Sequence, residues 1–156
     1  MKLNPFKLFI SIAICQMAGV VGSFFTASSI ATWYAALNKP AFSPPNWLFG
    51  PAWIILYFLM GVSLYIVWES RAKGKKTALA FFSAQLALNA LWPVIFFGLK
   101  SPLLAFIVII ALWLAILLTI LKFYRISGKA AYLLMPYILW VSFAAILNLA
   151  IVFLNR

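Results

Sequence analysis

The sequence predicts an all-α integral membrane protein, in which residues 1–156 form a single domain built as a bundle of five transmembrane helices. Hydrophobic residues make up 67% of the 156 residues and charged residues only 8%, and a soluble domain of this size cannot bury so much apolar surface. The apolar residues gather into five runs, each close to the roughly 20 residues with which a helix crosses about 30 Å of hydrocarbon. The runs show no alternation of apolar and polar residues, which argues against a transmembrane β-barrel.

The five predicted spans are residues 6–28, 51–68, 77–99, 103–121 and 130–154, with a long loop of residues 29–50 after span 1. Lys2 and Lys7 precede the apolar stretch of span 1, as basic residues do in a signal peptide. This stretch is, however, long enough to cross the membrane, and it contains Gln16. We therefore expect that it is not cleaved. Span 4 carries little that is polar, so we expect it to face lipid along most of its length.

Basic residues predict the orientation of the bundle. The chain has twelve basic residues and one acid, for a net charge of +11, and they lie in short gaps between apolar runs rather than on a face that would bind nucleic acid. One side has nine: Lys2, Lys7, Arg71, Lys73, Lys75, Lys76, Lys122, Arg125 and Lys129. The other side has three: Lys39, Lys100 and Arg156. We expect a multi-pass protein of the bacterial cell membrane, with a cytoplasmic N-terminus and with the first loop and C-terminus outside.

Few side chains suit metal binding or acid–base chemistry. The chain has no histidine and one cysteine, Cys15, inside an apolar run, so we expect no metal site and a packing role for the thiol. The single acid, Glu69, is expected to pair with Arg71 or Lys73 at helical spacing. Ion-coupled transport through Glu69 is the competing interpretation.

Four of the five spans carry polar, aromatic or small residues at intervals of three or four, which places those residues on one helical face. The stripes are Gln16, Gly19 and Ser23 in span 1, Trp53, Tyr57, Gly61 and Tyr65 in span 2, Gln85, Asn89 and Trp92 in span 3, and Tyr137, Trp140, Ala144 and Asn148 in span 5. One interpretation is hydrogen bonding that joins helices within lipid. The other is a shared aromatic cavity, suited to a large, flat, mostly apolar ligand.

The loop after span 1 is unusually aromatic and stiff. The segment "WYAALNKPAFSPPNWLFGPAW", from Trp33 to Trp53, holds three tryptophans and four prolines. Proline fixes backbone angles and lowers the entropy lost on ordering, while the aromatic rings need an apolar surface to rest on. We expect this loop to form a lid over the outer end of the bundle. The alternative is a loop that lies flat at the membrane interface.

Three segments, "WYAALNKPAFSPPNWLFGPAW", "QLALNALWPVIFF" and "PYILWVSFAAILN", resemble signatures of the translocator protein family. Its members are also called tryptophan-rich sensory proteins, and formerly peripheral-type benzodiazepine receptors. The resemblance covers all five spans. It implies five helices, usually a homodimer, and a pocket beneath the first loop for porphyrins such as protoporphyrin IX and haem, for sterols, and for isoquinoline or benzodiazepine drugs.

The resemblance also implies which residues bind the ligand. They are Trp33, Tyr34, Trp47, Trp53, Asn89, Trp92, Trp140, Ala144 and Asn148, and the stripes add Tyr57 and Tyr137. The implied function is a membrane receptor or transporter of porphyrins, without a required cofactor, in tetrapyrrole homeostasis or stress regulation. Lys39 and the indole N–H groups are candidate partners of the propionates. The alternative is a light-dependent porphyrin-degrading enzyme that uses Trp53 and Trp140 in radical chemistry.

The chain departs from the family pattern in its sterol motif, which requires a tyrosine where this sequence has Leu149. That departure argues against sterol binding through the motif, and a looser match at Leu121, Tyr124 and Lys129 remains a hypothesis. Without histidine, haem would be held by stacking, with Tyr or Cys as the remaining ligands. The homodimer is expected to form through span 3, whose small residues recur on one face: Ala80, Ser83, Ala84 and Ala87.

Overall fold

The computed structural model describes residues 3–156 and shows five helical segments that are long and apolar enough to cross a membrane. The helices are α1 (Pro5–Ser29), α2 (Trp33–Ala36), α3 (Asn46–Glu69), α4 (Lys75–Pro93), α5 (Pro102–Tyr124), α6 (Gly128–Leu133) and α7 (Met135–Leu154). A π-helical turn, Val94–Gly98, continues α4. Helices α6 and α7 together form the fifth membrane-spanning segment. The predicted all-α fold with five spans is confirmed.

The start of α3 differs from the predicted start of span 2. The helix begins at Asn46, and Pro51 lies inside it rather than in its first turn. Pro45 precedes the helix with an extended backbone (φ −63°, ψ 145°), which suits the fixed φ of proline. Five residues that were assigned to the loop are therefore helical, and residues 33–36 form a helical turn within what remains of it.

Span 4, which is α5 in the structure, was expected to face lipid along most of its length. This expectation is wrong for one face of the helix, which is buried. Helix α5 packs against α4, α6 and α7, and residues at helical spacing along it, including Ala105, Ile109, Leu112 and Ile116, are buried. The opposite face, which includes Leu114 and Leu118, is exposed. Apolar side chains suit either environment, so a lack of polar residues does not indicate which face of a helix meets lipid.

Glycines allow α1 to approach its neighbours. A Cβ on Gly61 of α3 would lie 2.5 Å from the Cα of Ile12, and one on Gly19 would lie 2.6 Å from the ring of Tyr57. A Cβ on Gly22 would meet the ring of Pro93 in α4 at 2.8 Å. Close backbone approach of this kind is the main way in which small residues stabilise helix pairs in lipid.

Contacts near the chain termini show which loops lie at the same end of the bundle. Lys7 forms an ion pair with Glu69, so the partner of the acid is on α1 and is neither Arg71 nor Lys73. At the opposite end, the Asn38 backbone N–H donates to the side-chain oxygen of Asn155, whose amide donates back to the Asn38 carbonyl, each at 2.9 Å. The first loop and the C-terminus thus share one end, as predicted. Lys2 lies outside the described residues.

We predict that Gly61→Val destabilises the protein, because the new side chain would overlap the α1 backbone at Ile12. Overpacking of this kind costs about 3 kcal/mol, or a fall of roughly 6–12 °C in the thermal unfolding midpoint of the purified protein. Gly50→Ala is the matched control, since no heavy atom lies within 4 Å of the position of its Cβ. Equal midpoints for the two variants would contradict the close contact of α1 and α3.

Candidate functional site

A cavity of about 500 Å³ lies among α1, α3, α4, α5 and α7 and extends to the lid. Its volume is within the range of small-molecule sites, roughly 300–1,000 Å³. Eight of the eleven predicted ligand-binding residues line it: Tyr34, Trp53, Tyr57, Asn89, Trp92, Trp140, Ala144 and Asn148. The stripes on separate helices thus converge on one space.

The other three predicted residues do not line the cavity. Trp33 packs its ring edge-on against Phe96 and Phe97, with centroids 5.6 and 6.5 Å apart, and so supports the wall from behind. Tyr137 is buried next to Trp53. Trp47 is 71% exposed in the first turn of α3, a position typical of an indole at the membrane interface.

A chain of hydrogen bonds between side chains joins α3, α4 and α7 beside the cavity. The Tyr57 hydroxyl donates to Asn89 Oδ1 at 2.5 Å, and Asn89 Nδ2 donates to the Tyr137 hydroxyl at 2.9 Å. The Tyr137 hydroxyl donates to Gln85 Oε1 at 2.8 Å. All four side chains are buried. The amides therefore do join helices, as the first interpretation held, and Asn89 also lines the cavity.

A second hydrogen-bonded pair holds the wall nearer the lid. Trp92 Nε1 donates to Asn148 Oδ1 at 3.1 Å, and Asn148 Nδ2 donates to the backbone carbonyl of Pro102 at 2.8 Å. These bonds join α4, α7 and the start of α5. The amide oxygens of Asn89 and Asn148 thus each accept a hydrogen bond from another side chain of the protein.

The aromatic rings of the wall are ordered by contacts with one another. Trp53 stacks on Tyr57 with centroids 5.3 Å apart and planes at 28°, and Trp92 stacks on Phe96 at 4.8 Å. Trp140 and Phe49 pack edge to face, with ring centroids 6.1 Å apart. The Trp140 Nε1 atom is buried and has no hydrogen-bond partner among residues 3–156. The wall therefore offers flat stacking surfaces and an unpaired N–H donor.

The π-helical turn positions the rings on which the lid rests. Phe96 and Phe97 are consecutive residues and both are buried, and Tyr34 of the lid packs on them with centroid distances of 6.2 and 5.6 Å. Both phenylalanines line the cavity, and the stripes at spacings of three and four did not include them.

The lid is fastened by polar contacts of its own. The Lys39 ammonium donates to the backbone carbonyls of Tyr34, Leu37 and Ala35 at 2.9, 3.1 and 3.4 Å, and lies 4.9 Å from the centre of the Tyr34 ring. Burial raises the pKa of the Tyr34 phenol above its ordinary value, an effect that a hydrogen bond with Ser43 opposes. Lys39, a predicted partner for propionates, is thus engaged within the lid.

Helix α1 supplies a wall of small and polar residues. Gly19 and Ser23, which belong to the predicted stripe of span 1, line the cavity together with Gly22 and Thr26. The absence of a Cβ at the two glycines lets the Tyr57 ring of α3 and the Pro93 ring of α4 lie against α1. None of the residues that line the cavity is Lys, Arg, Asp or Glu, and no three His, Cys, Asp or Glu side chains come together among residues 3–156.

Comparison with known proteins gives matches over nearly the whole chain. The model of the TspO/MBR family matches residues 11–154. A tryptophan-rich protein TspO from Archaeoglobus fulgidus is 52% identical over 153 residues, which are 98% of this chain and 99% of that protein. A protein of the same name from Chlorobaculum tepidum is 42% identical over 157 residues, 99% of each chain. The translocator protein of Homo sapiens is 39% identical over 131 residues, 82% of this chain and 78% of that protein.

The extent of these matches agrees with the five-span architecture and with the three sequence segments that surround the cavity. On both grounds, this chain is a multi-pass membrane protein that belongs to the TspO/MBR family.

Proposed function

We propose that this protein is a membrane receptor or transporter that binds porphyrins and related flat hydrophobic ligands in the cavity beneath the lid. The observation that carries the proposal is the convergence of indole and phenol rings from the lid, α3, α4 and α7 on one cavity of about 500 Å³. Stacked aromatic contacts contribute about 0.5–1.5 kcal/mol each beyond simple burial. A flat conjugated ring is the ligand shape that uses such walls best.

The side chains favour recognition of the ring over recognition of a bound metal. The chain has no histidine, and of the two tyrosines that line the cavity, Tyr57 already donates its hydroxyl proton to Asn89. Cys15 is buried in the core outside the cavity wall. We therefore expect metal-free protoporphyrin IX to bind about as tightly as haem. The names "sensory protein" and "translocator protein" carried by relatives support a role in sensing or transport.

We propose that the protein lies in the bacterial cell membrane. The N-terminal end of the bundle would face the cytoplasm and the lid would face the outside. The excess of basic residues at the N-terminal end supports this orientation, and the ion pair between Lys7 and Glu69 lies at that end. Glu69 does not line the cavity, which favours its structural role over ion-coupled transport. The proposal does not extend to sterols, because Leu149 replaces the tyrosine of the family's sterol motif.

We predict that replacing both Trp53 and Trp140 by alanine weakens protoporphyrin IX binding by roughly 5- to 150-fold, because two aromatic contacts are lost. Affinity is measured by titration of the purified protein, followed through porphyrin absorbance and quenching of the remaining tryptophans. Trp47→Ala is the control, since it removes an exposed indole that does not line the cavity. Unchanged affinity in the double variant would refute the site.

A second candidate function is light-dependent degradation of bound porphyrin. It is favoured by the position of Trp53 and Trp140, which both line the cavity and so would lie beside a bound ring. Photo-oxidation of the porphyrin by dissolved O2, with participation of these indoles, requires neither the acid–base pair nor the metal that conventional catalysis would use.

We predict for this activity that illuminated wild-type protein converts protoporphyrin IX to a defined product, and that Trp140→Phe retains binding but forms much less of it. Phenylalanine keeps a stacking ring and removes the more easily oxidised indole. Product formation is measured by absorbance and mass spectrometry, with a dark sample and free porphyrin as controls. Bleaching at the same rate and to the same products with and without protein would exclude the enzyme.

We also propose that the protein forms a homodimer through the outer face of α4. Ala80, Ser83, Ala84 and Ala87 are all exposed on the single chain, and small residues at four-residue spacing allow close packing of helices in lipid.

We predict that Ala80→Cys forms a disulfide-linked dimer under mild oxidation in membranes, because the two copies would place this position near the shared axis. Leu139→Cys is the control, since Leu139 is exposed on α7, on the face opposite Tyr137, which bonds to Asn89 of α4. The native Cys15 is buried and does not compete. Dimer bands of equal intensity from both variants, or none from Ala80→Cys, would contradict this interface.

A further inference from the structure

The wall of the cavity carries no charge, although the proposed ligands are acids. Among residues 3–156, none of those that line it is Lys, Arg, Asp or Glu. The cation of the lid, Lys39, already donates to three backbone carbonyls. A carboxylate that is buried without a cation or several hydrogen bonds carries a large desolvation penalty. The propionates of a bound porphyrin therefore need a place outside the wall.

The hydrogen-bonding groups inside the cavity do not meet that need. The amide oxygens of Asn89 and Asn148 accept bonds from protein donors, and the unpaired buried donor of the wall is Trp140 Nε1. A single neutral N–H suits one neutral acceptor, whereas a carboxylate ordinarily takes two or more donors on its two oxygens. The interior thus matches the uncharged part of the ligand.

One side of the cavity is open, and it lies between α1 and α3. These helices touch at Ile12 and Gly61, where a Cβ on the glycine would lie 2.5 Å from Ile12 Cα. Nearer the lid, Gln16 Nε2 bridges the two helices through the Ile54 carbonyl at 3.0 Å. At Gly50, nearer still, no heavy atom lies within 4 Å of the Cβ position. The space beside α3 at Gly50 is therefore unfilled.

Every residue of the wall that is exposed belongs to these two helices: Val20, Ser23 and Ala27 of α1, and Gly50 and Ile54 of α3. We call this set the mouth. Ser23 lies six residues before the end of α1 at Ser29, or about 9 Å along the helix. The mouth thus opens sideways in the membrane, close to the depth where acyl chains meet lipid headgroups.

We propose that a tetrapyrrole binds with its apolar edge in the cavity and its carboxylates in the mouth between α1 and α3, directed to the headgroup region and not paired with a protein cation. The proposal rests on the proposed porphyrin-binding function and narrows its ligand class. The preferred ligands are flat rings whose carboxylates lie on one edge. Rings with carboxylates around the whole periphery are excluded, since some of their charges would be buried.

The first test compares three ligands on the wild-type protein in nanodiscs: protoporphyrin IX, its dimethyl ester, and coproporphyrin, whose four carboxylates surround the ring. Equilibrium affinity is measured by tryptophan quenching. The dimethyl ester should bind within about threefold of the diacid, because no protein group pairs with the carboxylates. Coproporphyrin should bind at least about 30-fold more weakly, since it would bury unpaired charge.

The second test changes the charge of the mouth. Ser23→Arg should tighten protoporphyrin IX binding about two- to fivefold, the effect of a partly exposed ion pair, and Ser23→Glu should weaken it by a similar factor. The dimethyl ester carries no charge, so its affinity should not differ between the Arg and the Glu variant, and its binding also shows that both variants are folded. The ratio of diacid affinity to ester affinity then separates the effect of charge from that of side-chain size. Ser28→Arg and Ser28→Glu are matched controls on α1, at an exposed residue that does not line the cavity.

The outcomes separate this inference from the proposed function. Failure of both the diacid and the ester to bind the wild-type protein would overturn porphyrin binding itself. Tight binding of the diacid with loss of the ester, or equal affinity for coproporphyrin, would overturn the pose while porphyrin binding remained. If the Ser23 variants change diacid affinity no more than the Ser28 variants do, the carboxylates do not lie in the mouth.

Discussion

The hydrogen-bond chain from Tyr57 through Asn89 and Tyr137 to Gln85 is the interaction on which the site depends. Lipid offers no partner for a polar side chain, and the two hydroxyls, the Asn89 amide and the Gln85 amide oxygen each find a partner on another helix. The chain fixes α3, α4 and α7 at one level of the bundle and orients Asn89 at the edge of the cavity. Loss of any member would leave its neighbour unpaired in a buried site, which is costly in a medium of low dielectric constant.

Two features produce the cavity. The hydrogen-bond chain holds α3, α4 and α7 together at one depth of the bundle, and α1 is in contact with α3. Helix α1 is in backbone contact with α3 at Gly61 and lies against the Tyr57 ring at Gly19. Farther toward the lid, Pro93 of α4 fills the space beside Gly22, and no side chain fills the space beside Gly50. Helix α3 is therefore held against its neighbours at one depth and has open space beside it at the other, and the aromatic rings of the wall border that space.

Sequence reasoning identified most of the fold and site because hydropathy and helical spacing are local properties. It found the five spans and eight residues of the wall, but it misjudged α5, whose buried and lipid-facing sides are equally apolar. Phe96 and Phe97 were missed because phenylalanine is as apolar as the residues that face lipid, so its residue type does not mark a cavity wall. The pairing of Glu69 with Lys7, 62 residues away in the chain, depends on how α1 packs, which no local pattern encodes. Trp47 was named from the resemblance, and its exposure depends on how the first turn of α3 packs, which a resemblance in sequence does not give.

The lid and the mouth differ in how firmly they are held, and this difference bears on how a ligand reaches the cavity. The Lys39 contacts order the lid internally. The reciprocal bonds of Asn38 and Asn155 and the packing of Tyr34 on two phenylalanines join it to the bundle. At the mouth, one side-chain bond from Gln16 to the Ile54 carbonyl joins α1 and α3. A flat apolar ligand partitions into the bilayer before it meets the protein, because burial of its surface in lipid is favourable. A firm cover toward water beside an open side toward lipid then favours exchange of ligand within the membrane.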